Sequence, residues 1–349
     1  MPVTLEDAKR TAIASKLEDM KALQNLLISN EEYLMSACSD QEIRDRVRDM
    51  LEDDRKNLGI LETVIVQYGV KGQPKDTTQQ FIEKAQNIMQ GSEYSLYEKV
   101  AEHELLKHKQ TMGGLLIHKA AQVAGADIEA AITPLNTVNF ENRAHQEQLK
   151  GILEILGTRE LTGQEPDQGL WARVQDAIAA FTGIAGSAVT RSADEMSIRD
   201  IIRMDHTKAD TLFMEIERSD DAQKIQEYFG QLYKDLSAHA NAEEQVVYPA
   251  VRSYYNKTQE LYSEQADMKQ MLEQMRSLNP SAPDFKTNVS RLRDMVHHHK
   301  NQEENEMFPI IRDNFSDEQQ RQMASEFKRV KSQLQEQMAA SMSSRSSMR

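Results

Sequence analysis

Apolar residues recur every three or four positions along most of the chain, which is the spacing of an amphipathic helix. No stretch alternates apolar and polar residues as a half-buried strand does. Helix-capping residues, glycines and prolines divide the first half of the chain into helical segments. These predicted helices cover residues 4–37, 39–69, 77–89, 92–125 and 127–156, with a bend expected at Pro134. The pattern therefore predicts an all-α protein.

The helical pattern stops between residues 157 and 169, where polar residues with Gly163 and Pro166 predict a linker. Leu170, Trp171 and the apolar residues that follow them share one helix face. We expect a short connector helix there that packs on one of the two halves. The alternative is a surface that docks a partner or a membrane.

A capping box at Ser197 opens the second half of the chain. Predicted helices there cover residues 197–218, 221–255, 257–278 and 284–314, and a fifth, exposed helix begins at Ser316. The resulting architecture is two four-helix bundles joined by a linker with a short connector helix. The predicted divisions are a bundle at residues 1–160, a linker and connector at 161–195, a second bundle with a C-terminal helix at 196–338, and a disordered tail at 339–349.

The composition is that of a globular protein, with 39% hydrophobic and 28% charged residues. The formal net charge of -14 argues against a large nucleic-acid surface, because phosphate binding needs a basic face. The single cysteine, Cys38, cannot form an internal disulfide and fits a reducing compartment. No secretory signal or transmembrane run is recognisable in the sequence. We therefore expect a cytoplasmic protein that does not bind nucleic acid.

Two stretches of the second half repeat the same arrangement of polar residues. They are His239-Ala-Asn-Ala-Glu-Glu-Gln-Val-Val-Tyr-Pro249 and His299-Lys-Asn-Gln-Glu-Glu-Asn-Glu-Met-Phe-Pro309. In each stretch the His and the first Glu are four residues apart, so they lie one turn apart on the same helix face. The second Glu points off that face, so we expect the first, Glu243 or Glu303, to be a ligand. Imidazole with carboxylate suits iron, manganese or zinc better than calcium or magnesium.

Both His and Glu pairs lie on otherwise apolar stripes, and a bound metal ion is a good reason to bury two carboxylates. The preceding helix adds His206 on its apolar side. Counting back from the turn at residues 279–283 places Gln265 at about the depth of His299 in an antiparallel helix pair. The predicted metal ligands are therefore His206, His239, Glu243, His299, Glu303 and Gln265.

The second bundle resembles the hemerythrin-like HHE cation-binding family, whose pattern is His, then His-x3-Glu, then His, then His-x3-Glu over four helices. The resemblance implies two non-haem iron ions, with Glu243 and Glu303 bridging them and the histidines completing the ligand set. Manganese or zinc is the alternative. The departure is Gln265, where the family's third helix supplies His. Because a Gln carbonyl binds a metal more weakly than imidazole does, we expect one ion to be loosely held or absent.

The first half resembles, in its layout of helices, a ferritin-like stress-protein family of unknown function. Ferritin-like metal sites need Glu-x2-His on the second and fourth helices. Here those positions read Asp53-x2-Lys56 and Asn142-x2-His145, and a lysine beside a metal opposes cation binding. We therefore expect a ferritin-like bundle without a working diiron centre. If one exists, the candidate ligands are Glu32, Glu104, Glu141 and His145.

The predicted function is that of a non-haem diiron protein that handles iron, dioxygen, peroxide or nitric oxide, in the context of oxidative stress. An enzyme is less favoured. No nucleophile with its base and no phosphate-binding loop is recognisable, which disfavours enzyme classes other than a diiron enzyme. Two alternatives stay open, a diiron peroxidase or oxygenase and a scaffold whose degenerate metal sites bind a partner. The sequence is also compatible with a homo-oligomer or a protein partner.

Overall fold

The protein is almost entirely helical. A computed structural model describes residues 8–166, 169–171, 173, 174, 177 and 196–346, and none of these residues belongs to a strand. The helices of the first half are α1 (Ala8–Ala37), α2 (Gln41–Tyr68), α3 (Asp76–Gln90), α4 (Leu96–Ala124), α5 (Ala126–Ile132) and α6 (Leu135–Thr162). Those of the second half are α7 (Ile198–Arg218), α8 (Ala222–Ala242), α9 (Tyr248–Val251), α10 (Thr258–Arg276), α11 (Pro283–Gln302), α12 (Phe308–Asn314) and α13 (Asp317–Ser346). The predicted all-α class is confirmed. In this described part of the chain, no helix is both long and apolar enough to cross a lipid bilayer.

The first bundle consists of α1, α2, α4 and α6, with α3 packed against α1 and α4. Gly114 lets α4 approach α6 closely, because a Cβ there would lie 1.9 Å from Oδ1 of Asn139. The bend expected at Pro134 is a full break between α5 and α6. The break follows from the proline ring, which removes an N–H and collides with the preceding turn of a continuous helix.

Part of the connector segment lies on the first bundle. Leu170 is buried in an apolar cluster that includes Leu149. The guanidinium of Arg46 lies 3.5 Å from the centre of the Trp171 ring. The rest of the expected connector helix, including residues 178–195, falls outside the described residues.

The second bundle consists of α7, α8, α10 and α11. Ser197 and Asp200 form the predicted capping box at the start of α7. Along α7, residues from Ile198 to Ile202 belong to one apolar cluster and residues from Ala209 to Ile216 belong to another. The polar residues of the candidate site lie between these two clusters, so apolar packing encloses the site from both ends.

The C-terminal helix α13 packs against α7 and α8, so the prediction of an exposed helix was wrong. Phe327 and Lys331 are buried on its inner face. Few apolar residues stand among the many charged ones on this helix, and that composition resembles a solvated surface. The helix also continues to Ser346, so most of the tail expected to be disordered at 339–349 is helical; residues 347–349 are not described.

Buried polar contacts join the two halves at the C-terminal end of α2. Gly69 ends this helix with a φ of 79°, and a Cβ there would lie 2.2 Å from Oδ1 of Asp235. Lys208 on α7 donates to the carbonyl groups of Gln67 and Tyr68 at 2.6 and 2.7 Å. It also pairs with Asp235 at 2.9 Å. Carbonyl groups at a helix end have no partner within the helix, and here a lysine of the other half supplies one.

Candidate metal centre

Four helices of the second bundle bring the six predicted site residues to one buried place. They are His206 on α7, His239 and Glu243 at the end of α8, Gln265 on α10, and His299 and Glu303 at the end of α11. The Nε2 atoms of His206 and His299 lie 3.2 and 3.3 Å from the carboxylate of Glu303. The Nε2 atom of His239 lies 3.1 Å from the carboxylate of Glu243.

The two glutamates occupy the first positions of single π-helical turns, Glu243–Val247 and Glu303–Met307. In the first turn the N–H of Tyr248 donates to the carbonyl of Glu243, five residues earlier. Pro249 follows, and its ring would collide with the carbonyl four residues back in an unbroken α-helix. The wider turn relieves that collision, and the second π turn likewise precedes a proline. Single π turns are frequent at functional sites because they redirect side chains locally.

Each of the three site histidines contacts a carboxylate through the ring nitrogen that faces away from Glu243 and Glu303. In each case Nε2 faces the glutamates while Nδ1 contacts an oxygen of Asp or Glu. The pairs are His206 with Glu304 at 2.7 Å, His239 with Asp205 at 2.9 Å, and His299 with Glu264 at 2.7 Å. Carboxylates in this position fix the ring orientation of metal-binding histidines and raise the basicity of the other nitrogen.

Two residues of the C-terminal helix α13 contact His239 or the carboxylate beside it. Lys331 of α13 forms a close ion pair with Asp205. Phe327, one turn earlier, packs edge-on against the His239 ring with the ring centres 5.9 Å apart. The helix expected to be exposed therefore covers one side of the site and supplies a charge to it.

Tyr248 and Gln265 fill the other side of the site. The hydroxyl of Tyr248 donates to Glu303 at 2.7 Å and lies 3.0 Å from Nε2 of His299. The amide nitrogen of Gln265 donates to the Tyr248 oxygen and to Glu243, both at 2.7 Å. Gln265 therefore lies at the depth predicted by counting back from the turn, and it donates hydrogen bonds to Glu243 and Tyr248.

The donor set fits a transition-metal ion. Oε1 of Glu243 and Oε1 of Gln265 are buried without a hydrogen-bond partner, which is a costly state that a cation would relieve. Ligand atoms lie within 4.8 Å of one another in a group made of His206, His239, Glu243 and Glu303. Imidazole nitrogen with carboxylate oxygen is the mixture that iron, manganese and zinc accept.

The carboxylates and histidines shift one another's protonation. Burial lowers the pKa of His239, but Glu243 and Asp205 outweigh burial and raise that pKa to about 10. Burial also lowers the pKa of His299, and Glu303 leads the groups that raise it to about 10. Burial and the charge of Glu303 raise the pKa of Glu243. Since metal ligands must be deprotonated, a metal would have to displace protons from these histidines.

A cavity of about 30 Å³ adjoins the histidines. Besides His206, His239 and His299, its lining includes Ala209, Leu236, Met268, Leu272 and Val296. Asp205, Asp235, Lys269 and Lys300 also line the cavity, and its volume suits a small molecule such as water or a diatomic ligand rather than an organic substrate.

The first bundle does not bring together the four residues that were named as candidate ligands in case it held a diiron centre. Glu32 is exposed, Glu104 and Glu141 are half-buried, and only His145 lies in the interior. Burial raises the pKa of the Glu141 carboxyl to about 7. Lys56, which was expected to occupy a ligand position, is half-exposed and pairs with a neighbouring aspartate at 3.1 Å. That assignment of Lys56 was wrong.

The neighbours of these residues in sequence occupy the interior instead. Glu31, Asp54 and His103 are buried where Glu32, Asp53 and Glu104 were expected. These three assignments missed by one position, and one residue rotates a side chain by about 100° around a helix. A lysine does lie among these groups, but it is Lys107 of α4.

The residues that support the histidines were missed in the sequence. Asp205, Glu264 and Glu304 each stand beside a predicted site residue in the chain, and that adjacency was a usable signal. Tyr248 stood in the repeated motif as its aromatic residue. Nothing in the sequence around Lys331 indicated a role at the site, because Lys331 contacts Asp205 only when α13 packs back against α7 and α8.

Comparisons with known proteins agree with part of this description. Residues 197–311 match the family described as Hemerythrin HHE cation binding domain. A protein of Nostoc sp. named DNA nickase is 60% identical over 342 residues, which cover 97% of this chain and 97% of that protein. An uncharacterized hemerythrin-like protein of Schizosaccharomyces pombe is 27% identical over 139 residues, or 38% of this chain and 68% of that protein. No solved structure is significantly similar to the chain.

Proposed function

The chain belongs to the same family as the Nostoc protein and has a hemerythrin HHE domain in its second half, and from this premise we propose that it is a non-haem iron protein that binds dioxygen, peroxide or nitric oxide. The observation that carries the proposal is the orientation of the three histidines. Each presents Nε2 to the glutamates while a carboxylate holds Nδ1. Without a metal, that arrangement buries the carboxylates of Asp205, Glu243 and Glu303 and three imidazoles with little return in stability.

Two metal ions are the proposed number. The group that would hold the first ion consists of His206, His239, Glu243 and Glu303. His299 would hold the second ion and share the glutamates, with Gln265 as a weak oxygen donor. Iron, when bound, supplies a redox-active Lewis acid. The chain's own contribution is to orient the imidazoles, to provide a small adjoining cavity for the ligand, and to hold the Tyr248 proton beside Glu303.

Metal analysis of the full chain tests the proposal directly. Protein purified without chelator should contain one to two irons per chain, and its absorption spectrum should change when air is admitted to a reduced sample. Peroxide turnover with an added reductant would distinguish a peroxidase from a binding protein. A chain that contains no transition metal after purification from iron-supplemented medium would contradict the proposal and favour the scaffold alternative.

Replacing Gln265 by His should increase the affinity of the chain for the second metal ion. The amide contacts Glu243 and Tyr248 at 2.7 Å, so an imidazole at this position would face the same centre with a stronger nitrogen donor. Loss of supporting contacts alone changes metal affinity by about 10–100-fold, and a gained ligand should do at least as much. The measurement is iron per chain after dialysis against a mild chelator. The control is Gln274→His, an exposed position on the same helix. Equal retention in Gln265→His and wild type would remove Gln265 from the ligand set.

DNA nicking is a second candidate function, and the similarity to the Nostoc protein favours it, because that similarity covers both halves of the chain. Two features oppose it. The net charge is -14, and Glu243 and Glu303 are both 0% exposed, so a duplex phosphate cannot reach the glutamates directly.

The plasmid-relaxation assay decides whether this candidate stands. Supercoiled plasmid is incubated with wild type and with His239→Ala, each with and without catalase. Nicking by wild type alone would attribute the activity to the metal centre, and sensitivity to catalase would identify a diffusible oxidant rather than contact hydrolysis. Equal nicking by both proteins would assign the activity to another part of the chain. No nicking by either protein would eliminate the candidate.

A further inference from the structure

The interior of the first bundle holds a second group of buried ionisable side chains, contributed by four helices. They are Glu31 on α1, Asp54 on α2, His103 and Lys107 on α4, and His145 on α6. This group is remote from the proposed iron site in sequence and does not depend on the proposed function.

Lys107 lies at the middle of this group. Its Nζ atom lies 2.9 Å from Oε1 of Glu31 and 3.0 Å from Nδ1 of His145, and it forms a close ion pair with Asp54. His103 contacts the same Glu31 oxygen at 3.1 Å through Nε2. One cation therefore contacts groups from three other helices, which is the arrangement expected around a metal ion.

The protonation states of these buried side chains depend on the Lys107 ammonium. Burial lowers the pKa of Lys107, but Asp54 and Glu31 outweigh burial and raise it. Burial alone would raise the pKa of Asp54, yet the charge of Lys107 and contact with His145 hold it well below its usual range. Removing one partner of a buried ion pair leaves uncompensated charge and is strongly destabilising. Without Lys107, the two carboxylates would need another cation.

We propose that the Lys107 ammonium takes the place of a metal ion in the first bundle, and that its removal converts the surrounding side chains into a divalent-cation site. Two carboxylates and one imidazole, those of Glu31, Asp54 and His145, would then face the space left by the lysine, with His103 in contact with Glu31. This donor set suits Zn²⁺, Co²⁺ or Fe²⁺. Oε2 of Glu31 and Nδ1 of His103 are buried without a hydrogen-bond partner. In the natural chain the lysine, rather than a metal ion, accordingly compensates the buried carboxylates of the first bundle.

Cobalt titration of the full-length Lys107→Ala variant tests the proposal. Ala leaves room for an ion, and Co²⁺ bound by nitrogen and oxygen donors absorbs in the visible range. The variant should bind one more equivalent of Co²⁺ per chain than wild type, and added Co²⁺ should raise its thermal midpoint by more than it raises that of wild type. The matched control adds Glu31→Gln and Asp54→Asn to Lys107→Ala, which should abolish the extra equivalent. Lys107→Arg, which keeps the charge, should not gain it.

Identical Co²⁺ stoichiometry in Lys107→Ala and wild type would overturn the proposal. If Lys107→Ala is insoluble as expressed, refolding yield from denaturant with and without Co²⁺ becomes the readout. A higher yield with Co²⁺ in Lys107→Ala, but not in the variant that also lacks the carboxylates, supports the proposal. Equal yields with and without Co²⁺ contradict it.

Discussion

Replacing His239 by Ala will lower the iron content of the purified protein from stoichiometric to near zero. The substitution removes one imidazole from the compact ligand group and leaves the Asp205–Lys331 pair with no ring to orient. Loss of a supporting carboxylate alone costs about 10–100-fold in metal affinity, so loss of the ligand it supports should cost more. The measurements are iron per chain after dialysis against a mild chelator and the absorption spectrum under air.

A neighbouring histidine provides the matched control for this result. His297 lies on α11 close to the site in sequence, but its side chain is 43% exposed and its Nε2 contacts Asp210 at 2.9 Å. His297→Ala should keep the iron content and the spectrum of wild type. If His239→Ala retains iron, the second bundle does not hold metal through the proposed ligands. Equal losses in both variants would indicate a general effect on folding rather than loss of a ligand.

The candidate site of the second bundle could be predicted from the sequence because its motif occurs twice. His239 and His299 begin two matching stretches, so an error in one would have conflicted with the other. Counting residues back from the turn predicted the depth of Gln265 on α10, because α10 and α11 are antiparallel neighbours joined by a short loop. The confirmed result is the HHE domain at residues 197–311. Metal binding by the six residues stays a prediction.

The sequence of the first bundle has no repeated motif of that kind. The inward-facing side of each helix was therefore fixed only to within one residue. Glu31 and Glu32 are adjacent carboxylates, and local pattern alone cannot tell which one faces inward. The same ambiguity separates Asp53 from Asp54, and only packing against the other helices resolves it. The ferritin-like family resemblance of this half stays a prediction as well. Long-range contacts such as Lys331 with Asp205 are beyond any local pattern, because they depend on how α13 folds back.

Lys208→Met should be the most destabilising single substitution at the junction of the two halves. Lys208 is 3% exposed, pairs with Asp235, and satisfies the last two carbonyl groups of α2. Burial lowers the pKa of Lys208 and raises that of Asp235, and the opposite charge of the partner works against each shift. Met has a similar volume but removes the lysine charge that faces the buried Asp235. Breaking such a pair costs about 3–5 kcal/mol in the free energy of unfolding.

Urea denaturation followed by circular dichroism measures this cost, and two further variants show its origin. Lys286→Met removes a lysine from a surface pair with Asp220 and should cost at most about 1 kcal/mol, because exposed pairs contribute little. Lys208→Met combined with Asp235→Asn should recover part of the lost stability, since neither partner is then left charged. Recovery should be incomplete, because Gln67 and Tyr68 still lose the donor for their carbonyl groups. If Lys208→Met and Lys286→Met unfold at the same urea concentration, the buried lysine does not stabilise the junction, and other contacts, such as that of Gln335 with the Val66 carbonyl, must hold the two halves together.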